Sequence, residues 1–118
     1  MLRYLKDKQD LYYLAHGQYA GRWEDLSVYD FSGNIGVKKI IGNFNYSVPS
    51  GLVQTGMFEA SLKENSYYWL MAYPGQNGGI YCVPRYANAK GVSLCERFSK
   101  TYIRCPEFVS NYSCYRIQ

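Results

Sequence analysis

Apolar and charged residues alternate over the first sixteen positions with the period of an amphipathic helix. Leu2, Leu5 and Leu14 belong to the apolar stripe, and charged residues fill much of the remainder. Gly17 follows where a left-handed cap would end the helix. Two opposite-charge pairs stand four residues apart, which lets them pair on a helix surface: Arg3 with Asp7, and Lys6 with Asp10.

This predicted helix, residues 2–16, begins without a capping side chain. Its periodic pattern runs up to Met1, as it would in a helix cut from a longer one. We therefore expect the first turn to project or fray, with Leu2 and Leu5 not covered by other segments of the same chain.

The segment after the helix combines a short turn with an irregular stretch. Trp23 and Leu26 stand three residues apart, so one helical turn can place both on a core. Residues 29–51 are rich in Gly, Asn, Ser and Lys. This composition predicts a long crossover loop with one short strand.

Three strand signals follow in quick succession, at residues 52–62, 67–73 and 80–83, separated by turn-forming residues. Such spacing predicts an antiparallel meander. The first strand alternates apolar residues such as Phe58 and Ala60 with polar ones such as Glu59, which predicts a sheet with one dry side. The sequence therefore predicts an α+β fold over residues 1–118, a single domain with the N-terminal helix packed on an antiparallel sheet of about four strands.

All four cysteines lie in the last third of the chain, at Cys82, Cys95, Cys105 and Cys114. No C-x-x-C spacing is present, and the one histidine is far away in sequence, so two disulfides in an oxidising compartment are favoured over a zinc site. Four cysteines allow three pairings. The sequential one, Cys82–Cys95 and Cys105–Cys114, closes two short loops and would staple the C-terminal region, which includes a short helix predicted at 88–98.

Composition adds little that points to catalysis. The chain contains fourteen Tyr and has a formal net charge of +4. Tyrosine suits half-buried strands and contacts between subunits. Basic residues are scattered, with Lys38-Lys39 as the one adjacent pair and a candidate contact for DNA. His16 is the only imidazole, and no G-x-S-x-G, H-x-x-x-H or phosphate loop occurs. We predict no enzyme, no cofactor and no metal.

Two stretches of the sequence resemble type IV pilins and type II secretion pseudopilins. The helix end, Ala15-His16-Gly17-Gln18-Tyr19 followed by Trp23-Glu24-Asp25-Leu26, is similar to their NG-x-Y-P-x-x-x-x-x-L stretch. Here His16-Gly17 replaces Asn-Gly, and Ala20 replaces the proline. The second stretch, Gly79-Ile80-Tyr81-Cys82-Val83 to Cys95-Glu96-Arg97-Phe98, is similar to the YC-[VA]…C-x-x-[LF] disulfide segment of pilin heads.

The resemblance implies a structural subunit of an extracellular or periplasmic type IV pilus-like filament. In that family an apolar N-terminal helix opening F-T-L-x-E anchors the subunit in the inner membrane and later joins it to other subunits; this sequence does not contain it. The resemblance thus implies a removed anchor, other pilin subunits as partners, and variable loops displayed at the cell surface. The alternative is a secreted or pilus-tip binding module for DNA or carbohydrate.

Overall fold

A computed structural model describes residues 1–63, 67–75, 78–85, 89–99, 102–104 and 113–117. These residues have an α+β fold, as predicted. Two short 3₁₀ turns lie at Trp23–Leu26 and Val53–Thr55. The helices and strands, in chain order, are α1 (Leu2–His16), β1 (Lys39–Ile41), β2 (Phe44–Ser47), β3 (Phe58–Leu62), β4 (Tyr68–Ala72), β5 (Ile80–Pro84), α2 (Ala89–Phe98), β6 (Tyr102–Arg104) and β7 (Ser113–Arg116).

Within the described residues the sheet contains seven strands in the order β1-β2-β3-β4-β5-β7-β6, and each pairing is antiparallel. The expected number was about four. Residues 29–51 supply a hairpin of two strands, in which Ile41 pairs with Phe44 across a tight turn, and the C-terminal region adds β6 and β7. Strand β3 starts at Phe58 because the preceding residues, Val53–Thr55, form a 3₁₀ turn.

Helix α1 lies on β3 and β4 and buries its first two leucines in the main core. Leu2 is 7% exposed and Leu5 is fully buried, in one cluster with Trp23 and Phe58. The expectation that the N-terminal turn projects is therefore wrong. The sheet itself offers the apolar surface that these leucines need. The burial predicted for Trp23 and Leu26 is confirmed.

The opposite side of the sheet is also largely dry, contrary to the prediction of one dry side. Met57, Met71 and Val83 form a second buried cluster there, and Ser61, which was expected on a solvated face, is 6% exposed. The alternation in β3 suggested that one face is exposed to solvent. The sequence of one strand does not show which side chains of the neighbouring strands cover that face.

The C-terminal helix is fastened to the sheet by a disulfide between Cys82 of β5 and Cys95 of α2, as predicted. No described cysteine is a free thiol. The second predicted bridge, Cys105–Cys114, lies outside the described residues because Cys105 does. Helix α2 also packs closely on the backbone of Tyr67, the residue before β4, since a Cβ on Gly91 would overlap the carbonyl oxygen of Tyr67.

We expect the change Gly91→Ala to destabilise the protein, although alanine normally favours a helix interior by about 1 kcal/mol. The added methyl group meets backbone and not a flexible side chain, so α2 must shift, at a cost of about 2 kcal/mol. Ser93→Ala, at an exposed position of the same helix, is the matched control and should leave stability unchanged or slightly raised. Urea unfolding without reductant measures both, and equal stability of the two variants would contradict the close packing.

Candidate functional site

Two side chains of α1 hold the backbone of Gly75, in the connection after β4. The ammonium of the buried Lys6 lies 2.8 Å from Asp10 Oδ2 and donates to the carbonyl oxygen of Gly75 at 3.1 Å. The other carboxylate oxygen of Asp10 accepts a hydrogen bond from the Gly75 N–H at 2.6 Å. Both polar backbone groups of Gly75 are thus satisfied by one ion pair, which we call the Lys6–Asp10 clasp.

A third polar side chain of α1 holds the segment that follows the helix. Gln9 is fully buried, and its amide oxygen accepts from the Ala20 N–H at 2.9 Å while its Nε2 lies 3.4 Å from the Ala20 carbonyl oxygen. A buried amide with both ends paired is stabilising, whereas an unpaired one would be costly. Gln9 therefore fixes the position of the neighbouring Tyr19.

The ring of Tyr19 is held between a second tyrosine and a glycine. Its centroid lies 4.7 Å from that of Tyr13, with 33° between the planes. A Cβ on Gly56 would lie 2.5 Å from the Tyr19 ring, so only glycine permits this contact, at a backbone φ of 68°. Burial, with a further contribution from the Asp10 carboxylate, raises the pKa of the Tyr19 hydroxyl. The Tyr19 hydroxyl can both donate and accept a hydrogen bond.

Two clefts open beside Tyr19, which contributes to the lining of both, and we call them together the Tyr19 groove. They have volumes of about 380 and 410 Å³. Their lining is mainly aromatic and apolar, with three tyrosines, one carboxylate, one amide and one threonine hydroxyl, and no basic side chain is among these described residues. The first is lined by Tyr19, Gln54, Thr55, Tyr73 and Pro74, and the second by Asp10, Tyr13, Leu14, Tyr19 and Gly75.

A second surface lies on the side of α1 that faces away from the sheet. Tyr4, Leu11 and Leu14 are 44%, 64% and 82% exposed, and their spacing of seven and three residues places them on one side of the helix. We call this the outer face of α1. The exposed Asp7, paired with Arg3, lies on the same side, so the outer face of α1 combines three apolar side chains with a charge, whereas the opposite side of the helix is covered by its own domain.

The predicted basic pair does not form one patch. The ammonium of Lys39 lies over the ring of Phe31, 5.7 Å from its centroid, whereas the charge of Lys38 acts on Glu59. Burial raises the pKa of the Glu59 carboxyl, and the charges of Lys38 and Arg85 oppose that shift only in part. Neighbouring extended residues point to opposite faces, which is why the two lysines diverge.

The remaining candidate residues are structural or isolated in the described part of the chain. Cys82 and Cys95 are fully buried in their disulfide, and Cys114 is buried as well. His16 is exposed and stacks on Tyr12 at a centroid distance of 4.0 Å. Across the described ranges, no group of three or more His, Cys, Asp or Glu could hold a metal ion. No helix in those ranges is long and apolar enough to cross a membrane.

Comparison with protein-family models, with curated proteins and with solved structures gives no match. The resemblance to pilins therefore rests on the sequence motifs. The structural features that bear on function are the Tyr19 groove and the outer face of α1.

The Tyr19 groove was not identified from the sequence. It joins residues 10–19 with residues 54–55 and 73–75, which no local pattern connects. The available signal was the placement of Tyr19 between Gly17 and Gly21, which marks a tyrosine at a sharp change of chain direction. The Lys6–Asp10 spacing was recognised, but its contact with Gly75 was not.

We expect Asp10→Ala to destabilise the protein by about 3 kcal/mol, because it leaves the buried Lys6 ammonium without its partner. The double variant Lys6→Met/Asp10→Ala should recover much of that loss, since the unpaired charge is gone. Asp7→Ala breaks the exposed pair with Arg3 on the same helix, 3.7 Å long, and should cost less than about 0.5 kcal/mol. Urea unfolding compares the three, and equal effects of Asp7→Ala and Asp10→Ala would refute the clasp.

Proposed function

We propose that this chain is a structural, non-enzymatic subunit of an extracellular or periplasmic type IV pilus-like filament. Its partners are other subunits of the same kind, and before assembly an N-terminal apolar helix continuous with α1 anchors it in the inner membrane. The sequence motifs at the end of α1 and around Cys82 and Cys95 support this proposal, as does a helix packed on an antiparallel sheet.

The outer face of α1 is the single observation that carries the proposal. Leu11 and Leu14 are more than half exposed on a helix whose opposite side is already in the core. Burying one leucine side chain stabilises by about 2 kcal/mol, so a neighbouring subunit that covers this face gains affinity from it. Single exposed apolar residues are ordinary, but three on one side of a helix favour an interface.

The burial of Leu2 and Leu5 changes how the anchor would leave the domain. A projecting helix end would let the anchor pivot, whereas the first turn of α1 is held on β3 and β4. An upstream helix would start at Met1, which is 42% exposed, in a fixed orientation relative to the sheet. Since a cut helix was expected to leave Leu2 and Leu5 uncovered, their burial counts against truncation, and the proposed anchor rests on the sequence motifs.

The alternative is a secreted or pilus-tip binding module for DNA or carbohydrate. The Tyr19 groove favours carbohydrate of these two ligands. Carbohydrate matches an aromatic groove with an acid and an amide. DNA is less well supported, because Lys38 and Lys39 diverge and phosphate contacts need clustered cations.

To test the filament role, Leu11→Glu should be made in the full-length gene, in the cells that produce the protein. We expect several-fold less of this variant in sheared surface filaments, because a charge on the outer face opposes burial against a neighbour. Ile40→Glu, at an exposed apolar position of β1 (53% exposed), is the matched control and should be incorporated normally. Immunoblots of filament and membrane fractions measure both. Equal incorporation of the two variants, or no protein in any filament, would contradict the proposal.

A further inference from the structure

The Tyr19 groove has the rigidity that stacking on a ligand requires. The base of the Tyr19 ring packs on the Gly56 backbone, which leaves no room for a Cβ there, and the Tyr13 ring packs against Tyr19 as well. Gln9 fixes Ala20, the next residue in the chain. An aromatic ring that is already ordered loses little conformational entropy when a ligand packs on it.

The charges around the groove exclude anionic ligands. Asp10 is the ionised side chain in the described lining. Its partner Lys6 is only 8% exposed, and the Lys6 ammonium contacts Asp10 and the Gly75 carbonyl oxygen. Lys6 balances the charge of Asp10 but is itself inaccessible, so a phosphate or carboxylate ligand would meet an acidic oxygen and no accessible cation among the described lining residues. A ligand that stacks on tyrosine here must be neutral or positively charged.

The polar groups of the groove fit a ligand with several hydroxyls. Asp10 is an acceptor only, and each of its oxygens keeps capacity beyond the bonds to Lys6 and Gly75. Gln54 is exposed, and its contact to the Gly51 carbonyl is 3.5 Å long, at the limit of a hydrogen bond, so its amide is available to donate and accept. Acceptors and donors beside aromatic rings match the hydroxyls and the apolar C–H faces of a sugar.

We infer that the Tyr19 groove binds a neutral oligosaccharide, with one sugar ring in each of its two clefts, which share Tyr19 as part of their walls. Two clefts of about 380 and 410 Å³ lie at the small end of ligand pockets, which suits one pyranose each. The site goes beyond the filament role and does not depend on it, because an isolated domain would contain the same groove. Asp10 and Gln54 contact the hydroxyls, and the tyrosine rings contact the C–H faces.

The test is NMR titration of the isotopically labelled domain with three neutral trisaccharides: maltotriose, cellotriose and the trimer of N-acetylglucosamine. We expect at least one to shift the amide signals of Tyr19, Gln54 and Gly75 in a saturable manner, with a Kd of about 1 mM or below. No saturable shift with any of the three would overturn the inference. Saturable binding of a single-stranded oligonucleotide to the same amides would overturn it too, because the groove should repel phosphate.

Two tyrosines of α1 provide a matched pair of variants. Tyr13 and Tyr4 are 45% and 44% exposed, but only Tyr13 lines the groove. Tyr13→Ala should weaken binding about tenfold, the loss of one stacking contact, and Tyr4→Ala should leave it unchanged. Gln54→Ala removes a hydrogen-bonding group without touching the core and should also weaken binding. Equal affinities for Tyr13→Ala and Tyr4→Ala would place the ligand elsewhere and refute the assignment.

Discussion

The structure depends on one constraint, that polar side chains buried beneath α1 must be hydrogen-bonded. Gln9 is fully buried and Lys6 nearly so, and each would destabilise the fold if it lacked partners. Their partners are backbone groups of Ala20 and Gly75, which belong to two segments far apart in the sequence. Helix α1 therefore organises the chain around it and is not an appendage laid on a finished sheet.

Both candidate surfaces follow from the way α1 is held. Fixing Ala20 and Gly75 brings Tyr19 beside Asp10 and Tyr13, which creates the Tyr19 groove along one flank of the helix. Because the clasp and Leu5 hold the inner side of α1 on the sheet, its outer face stays exposed. Leu14 contributes to the groove and to the outer face, so a neighbouring subunit and a ligand would lie close to each other.

Local patterns predicted much of the fold, and long-range contacts account for the remainder. Helix 2–16, the burial of Trp23, the strands near 67–73 and 80–83 and the Cys82–Cys95 bridge follow from periodicity, turn residues and cysteine spacing, and the structure contains them. The hairpin within 29–51 was missed because its strands are short and their pairing is visible only in three dimensions. The groove was missed since Lys6, Gln9 and Asp10 are typical surface residues, and their burial depends on what packs over them. Membership of the pilin family stays a prediction.

The most direct test of this account is native-state hydrogen exchange of individual amides. The Ala20 and Gly75 N–H groups lie outside regular secondary structure but donate to Gln9 and Asp10. If α1 organises the fold, these two amides should exchange about as slowly as those of α1 and β4, since all open in one cooperative unit. Rapid exchange of Ala20, Gly75 and the amides of α1 from Leu5 onward, with β3 and β4 still protected, would show that the helix is an independent, loosely held element and would contradict the account.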